Sequence, residues 1–137
     1  MTQLRAEATF EVGSFAPVQI DAVLVETAME VGLATMEKTY SGAVEGRSST
    51  VFTGSRNADT GAGTYVALEA FTGTVDGHRG AFNFVHAAST HGEDRYADFF
   101  TVVDASGTDE LAGISGSGGM AVDADGTHRI WFDYALD

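Results

Sequence analysis

Glu69 and His86 are the side chains whose types and spacing most invite chemistry. Each lies on one arm of TYVALEAFTGTVDGHRGAFNFVHAAS (64–89), two apolar runs around Asp76-Gly77, the strongest short-range hairpin signal. Side chains alternate along each arm, so Ala67, Glu69 and Phe71 share one face, as do Phe82, Phe84 and His86. A four-residue loop, Asp76 to Arg79, pairs Val75 with Gly80 and sets Glu69 opposite His86 and Phe71 opposite Phe84. A two-residue loop pairs Glu69 with Phe84 instead, because registers on one face move in steps of two. Either way, a carboxylate and an imidazole share a face with aromatic rings, where neither belongs without a partner. A buried carboxylate can hold an imidazole in one tautomer and raise its basicity, which is general acid–base chemistry. The competing reading is a satisfied structural pair that fixes sheet register.

Lys38 and Tyr40 share one face of their strand and are candidates for the same cavity. In the last strand Asp133 shares a face with Trp131, and Tyr134 with Phe132, so that strand can add one polar group. The aromatics Phe71, Phe82 and Phe84 would shape a bound molecule. Other apparent motifs have simpler explanations. Asp59-Thr60-Gly61-Ala62 matches the Asp-Thr-Gly-Ala of retroviral-type aspartic peptidases, in which two copies meet in a homodimer and share a proton. Here the polar run Ser55-Arg56-Asn57-Ala58 precedes it rather than an apolar strand, and a turn is the simpler reading. Gly113 to Gly119 (GISGSGG) lacks both the nucleophile-elbow spacing and the Gly-Lys-Ser/Thr ending of a phosphate loop, so its glycines read as turn or bulge residues. Asp123 to Thr127 begins like a calcium loop, but its twelfth position is Tyr134, not Glu. Histidines 78, 86, 91 and 128 show no metal-ligand spacing, and no cofactor motif is present.

The elements that must position these residues read as short strands. Leu4, Ala6, Ala8, Phe10 and Val12 alternate with polar residues, a half-buried strand. Residues 13–23, around the only proline, Pro17, read as a loop or short edge segment. Residues 23–31 (VLVETAMEV) tolerate helix or strand. Residues 31–41 (VGLATMEKTYS) resume an extended pattern, and Gly42 to Gly46 turns the chain. Thr50 to Thr53 is β-rich, and GSRNADTGAG forms a long polar loop before the hairpin. Further extended runs follow at 95–104, 109–115, 119–123 and 127–136, the last two joined by Asp125-Gly126. Residues 31–41 and 95–104 carry apolar groups on both faces, so their inward faces stay open. Seventeen glycines and regularly spaced β-runs predict one all-β domain over residues 1–137. About eight strands close better as an antiparallel barrel than as an open sheet, since closure removes edges. Such a barrel has a central interior just large enough for side chains or one small ligand.

Composition narrows the partners. Seven Lys+Arg against 20 Asp+Glu give a net charge of −13, which repels nucleic acid and anionic membrane surfaces. No apolar run approaches the roughly 18 residues of a membrane helix, and the N-terminus lacks the apolar core of a signal peptide. Zero cysteines exclude disulfides and thiolate chemistry, and the expected location is the cytoplasm.

Four segments in order, EKTYSGAVEG (37–46), YVALEAFTGTVDGHRGAFNFVHA (65–87), SGTDELAGISGSGGM (106–120) and IWFDYAL (130–136), resemble the DUF3224 family of small bacterial proteins of unassigned activity. The third is similar to a family signature, Ser-Gly-Thr-Gly-Glu-Leu-x-Gly-Leu-x-Gly-x-Gly-Gly, with Asp109 for Gly and Ile114 for Leu. The family is similar to allene-oxide-cyclase-like barrels, and the resemblance implies an eight-stranded antiparallel barrel with a central cavity. It also implies that a carboxylate and a histidine recur where Glu69 and His86 stand, without assigning them a role. A homodimer is compatible with this family class. Allene oxide cyclases fold a reactive lipid without a cofactor, but their sequences do not otherwise resemble this one, so the activity does not transfer. Three function classes follow. One is a cofactor-free isomerase or cyclase acting on a small hydrophobic molecule through Glu69 and His86. The second is a non-catalytic barrel for a lipophilic ligand, and the third a structural module with a filled interior. An aspartic-peptidase-like homodimer through Asp59 is a further alternative.

Overall fold

A computed structural model describes residues 2–137 of the chain. Eight antiparallel strands follow one another around a closed barrel, each paired with its neighbours in sequence and the last with the first. They are β1 (Leu4–Val18), β2 (Val31–Gly42), β3 (Val44–Arg56), β4 (Gly63–Val75), β5 (His78–Thr90), β6 (Tyr96–Val102), β7 (Ser115–Val122) and β8 (His128–Ala135). No helix among the described residues is long and apolar enough to cross a membrane. The period-two patterning explains the wall: Ala6, Ala8 and Phe10 in β1, and Ile130, Phe132 and Tyr134 in β8, turn inward and are buried.

The two strands with apolar residues on both faces are resolved. Ala34, Lys38 and Tyr40 are buried from β2, and Val102 from β6, while Phe99 lies outside, 56% exposed.

The central hairpin turns through two residues, not four. Val75 pairs with His78, and Asp76 and Gly77 both take positive φ (48° and 81°), the geometry of a type I′ turn. Glu69 therefore faces Phe84, Phe71 faces Phe82, and His86 faces Ala67. Direct Glu69–His86 opposition is ruled out; the two residues are diagonal neighbours on one face, still within reach of long side chains.

One local alternative is settled and two local expectations are corrected. Of residues 13–23, 13–18 take the edge-segment alternative: β1 runs through them after a one-residue bulge between Val12 and Ser14, and 19–23 are loop. The bulge puts Phe15 rather than Ser14 opposite Met36, and the Phe15 ring approaches Phe52 at 6.2 Å. Pro17 is accommodated because this stretch pairs only with β2, β8 having ended opposite Phe10. Residues 109–115 are not a strand up to Ser115. A short 3₁₀ turn, Asp109–Leu111, carries Leu111 and Ile114 into one end of the barrel, where both are buried. Residues 23–30, open to helix or strand by sequence, form neither; with 19–22 they make a strap across the opposite end, with Val23 and Val25 fully exposed or nearly so.

The barrel thus has a closed end and an open end. The closed half is filled by Tyr40, Phe71, Phe82, Phe84, Phe132 and Tyr134, packed with ring centroids 5.1–5.9 Å apart wherever they touch. Tyr134 donates to Asp76 Oδ2 at 2.5 Å, tying β8 to the β4–β5 turn. Burial raises the Tyr134 pKa, and Asp76 adds to the effect. Gly80 leaves room for the plug: a Cβ there would stand 2.2 Å from the Thr108 carbonyl oxygen and 3.0 Å from Leu111.

Candidate functional site

Halfway along the interior, the apolar filling gives way to a buried polar cluster centred on Glu69, which is fully buried on β4. Its inward face follows from strand alternation with Phe71 and Ala67. Lys38 Nζ on β2 donates to Oε2 at 2.7 Å, and Ser48 Oγ on β3 donates to Oε1 at 2.7 Å. Tyr40 donates a short hydrogen bond to Oε1, and His86 Nε2 on β5 reaches Oε2 at 2.5 Å. Four donors from three neighbouring strands converge on one carboxylate, filling its acceptor sites. Burial by itself would raise the Glu69 pKa. The hydrogen bond from His86, the Lys38 charge and hydrogen bond, and Tyr40 outweigh it and bring the value down to about 2.

An ionised carboxylate can only accept, so His86 carries its proton on Nε2 and leaves Nδ1 as the acceptor. Nδ1 meets the Tyr65 hydroxyl at 2.8 Å, and Tyr65 in turn accepts from Arg95 Nη2 at 2.8 Å. The hydrogen bonds run in one direction, from Arg95 through Tyr65 and His86 to Glu69. Burial lowers the His86 pKa against the opposing pull of Glu69, so the ring is neutral near pH 7. Burial raises the Tyr65 pKa, while the hydrogen bond and charge of Arg95 oppose it. The imidazole lies beside Phe84 and Phe100, each with its centroid 6.0 Å away, and those two rings stack on each other at 5.4 Å.

Above the cluster lies a pocket of about 220 Å³. Its walls are mostly apolar, including Phe10, Val12, Met36, Phe52 and Met120, and its polar groups are Lys38, Tyr65, His86, Arg95 and His128. Phe52 stacks on Tyr65 at 5.4 Å, and the Lys38 ammonium lies 4.9 Å from the centroid of Phe10. The pocket shares Phe52, Tyr65, Arg95 and Met120 with a broad cleft of about 1770 Å³ beneath the 19–30 strap.

Lys38, Tyr40, Glu69 and His86 therefore come together. Tyr40 and Glu69 lie under the pocket rather than in its wall, while Lys38 and His86 reach it. Phe71, Phe82 and Phe84, expected to contact a ligand, pack in the closed half and line neither the pocket nor the cleft. Asp133 is displaced further. It faces out and forms a bidentate pair with Arg5, at 2.7 and 2.9 Å, because the inward face of β8 belongs to Ile130, Phe132 and Tyr134. Asp59 sits in an exposed turn capped by the Asn57 side chain, not at the end of a buried strand. The glycines of β7 are demanded by packing: a Cβ on Gly119 would stand 2.3 Å from the Trp131 indole. The sequence reading missed Tyr65 and Arg95. Tyr65 was accessible to it, because Tyr65 alternates with Ala67 and Glu69 on one face of β4. Arg95 precedes β6, where no periodicity applies.

Fold and site together define a small closed barrel with a polar cluster at mid-height and a pocket at one end. The chain belongs to the DUF3224 family, described as proteins of unknown function, which it matches over residues 6–134. It is similar to a crystallographically determined DUF3224 protein of unknown function from Shewanella oneidensis MR-1. The two are 26% identical, the match covers 99% of each chain, and the TM-score is 0.84. Comparison with curated proteins finds no match.

Proposed function

We propose that the barrel binds a small, largely apolar molecule in the pocket above Glu69 and catalyses a cofactor-free isomerisation in it by proton transfer. The observation that carries this reading is the one-way hydrogen-bond chain from Arg95 to Glu69, which passes through a pocket-lining hydroxyl, Tyr65. Tyr65 is the group that would touch substrate. Its proton passes to His86 Nδ1, and the resulting imidazolium is stabilised by Glu69 through Nε2. In the same step the Tyr65 oxygen, held by Arg95, takes a proton from an acidic carbon of the substrate, so no free phenolate forms, and Lys38 faces the negative charge that develops. Return of that proton from Tyr65 to a different carbon, and of the His86 proton to Tyr65, completes a shift with no net gain or loss. Glu69, with its acceptor sites filled, acts as the positioning residue rather than the base. The size of the pocket suits a molecule below the roughly 300–1,000 Å³ typical of drug-sized sites.

The test starts with native mass spectrometry of protein purified from its own host and identification of any molecule extracted from it. That molecule is then incubated with the protein in D2O. Deuterium uptake at carbon that disappears in Tyr65→Phe, with binding retained, is the expected result. Binding without uptake would replace the enzyme by a non-catalytic lipophile carrier. Absence of any bound or stabilising molecule would overturn both.

A further inference from the structure

The polar atoms that face the pocket have a one-sided character. Among the described residues, no Asp or Glu lines it, although the chain holds 20 of them. Two of the seven Lys+Arg residues do, Lys38 and Arg95, together with His86 and His128. Lys38 uses one of its three N–H donors on Glu69, and Arg95 uses two of five, Nη2 on Tyr65 and Nε on Asp98 at 2.6 Å. Asp98 is half-exposed and is not part of the pocket wall. Donors therefore remain on two cations at a largely apolar site, where a charge-assisted hydrogen bond is stronger than in water.

From this we infer that the ligand is a small apolar monoanion, a carboxylate-bearing molecule. Its head sits at Arg95, and its body lies against Phe10, Met36 and Met120. The inference rests on the ligand site of the preceding section and names the chemical class that site takes. The wider cleft argues for a single charge. Besides Arg95 it carries Arg56 against Glu26, Glu30, Glu93, Asp94 and Asp98, an acidic excess, so a phosphate ester or other polyanion meets more repulsion than a monoanion before it reaches Arg95. The Arg95 side chain is 32% exposed, and a neutral ligand covering it would strip water from its remaining donors without replacing those hydrogen bonds, a desolvation cost that an anion removes.

The experiment is calorimetric titration near pH 7 and low salt. The probes are straight-chain and phenyl-substituted carboxylic acids of roughly four to eight carbons, each against its own primary amide. The amide matches the acid in shape and lacks its charge. Acids are expected to bind about tenfold or more tightly than their amides. That gap should close in Arg95→Gln, return in Arg95→Lys, and narrow as salt rises. Amides binding as well as acids would overturn the anionic assignment and leave the ligand site standing. An acid preference that survives Arg95→Gln would overturn the placement of the head group. If neither acids nor amides bind, the inference falls together with the site on which it rests.

Discussion

At the scale of single residues, the centre of the molecule is one carboxylate paired with one ammonium, both almost without solvent contact. A charge taken from water is tolerated only while its partner and hydrogen bonds remain. Glu69→Gln keeps the shape but leaves the Lys38 charge uncompensated, and is expected to cost about 3–5 kcal/mol in urea unfolding. Adding Lys38→Met removes the orphaned charge, so the double variant should be more stable than Glu69→Gln alone. A double variant at least as unstable as the sum of the single ones would show that the two groups are not coupled. His86 makes the cluster sensitive to pH. Its folded pKa lies below the ordinary value of about 6.5 because of burial, so as pH falls through that value the unfolded chain takes up a proton that the folded chain resists. Stability should fall between about pH 7 and pH 5, and His86→Gln should flatten that slope. A wild-type slope of the opposite sign would contradict a neutral His86. The Glu69 contribution belongs to a lower window: it is complete above about 4.5 and is lost as pH falls toward its folded value of about 2.

At the scale of elements, the β4–β5 hairpin was readable because alternation and an Asp-Gly pair agree. The register was not, since loops of two and four residues preserve the same faces and only backbone geometry separates them. Strand faces explain the rest. Lys38 and Tyr40 were legible as neighbours, but the inward side of β8 is decided by packing against β1 and the closed end, and alternation alone cannot assign it to Phe132 rather than Asp133. Pro17 looked like an interruption, because the sequence does not show that the end of β1 lacks a second partner. Two glycines of β4 and its turn separate backbone conformation from packing. Gly77 has φ +81° and open space around it, so Gly77→Ala should cost only the left-handed strain, about 1–2 kcal/mol. Gly73 combines φ +154° with a would-be Cβ only 2.1 Å from the Glu45 carbonyl oxygen, so backbone must move. Gly73→Ala should therefore be the more damaging, by roughly 1–3 kcal/mol or more beyond Gly77→Ala in thermal or urea unfolding. Equal losses would mean that β3 yields easily at this point.

At the scale of the whole molecule, closure could be anticipated from strand count and edge avoidance, whereas the division into a filled half and an open half could not. That division comes from long-range choices: where the 3₁₀ turn plugs one end, and where the aromatics stop and Glu69 begins. The phenylalanines expected at the ligand became the floor beneath it, because the inward faces of β4 and β5 reach the closed end as well as the pocket. Closure is also uneven around the ring. β6 and β7 meet through a single registered pair, Thr101 with Ser117, while β7 and β8 pair along eight residues from Ser115 to Val122. The chain's one tryptophan, Trp131, stands over Gly119 on the β7 side of that thin seam, with the Arg5 guanidinium 5.8 Å from its ring. The molecule thus carries an intrinsic fluorophore beside its weakest ladder, and its emission can report unzipping of the ring separately from global melting.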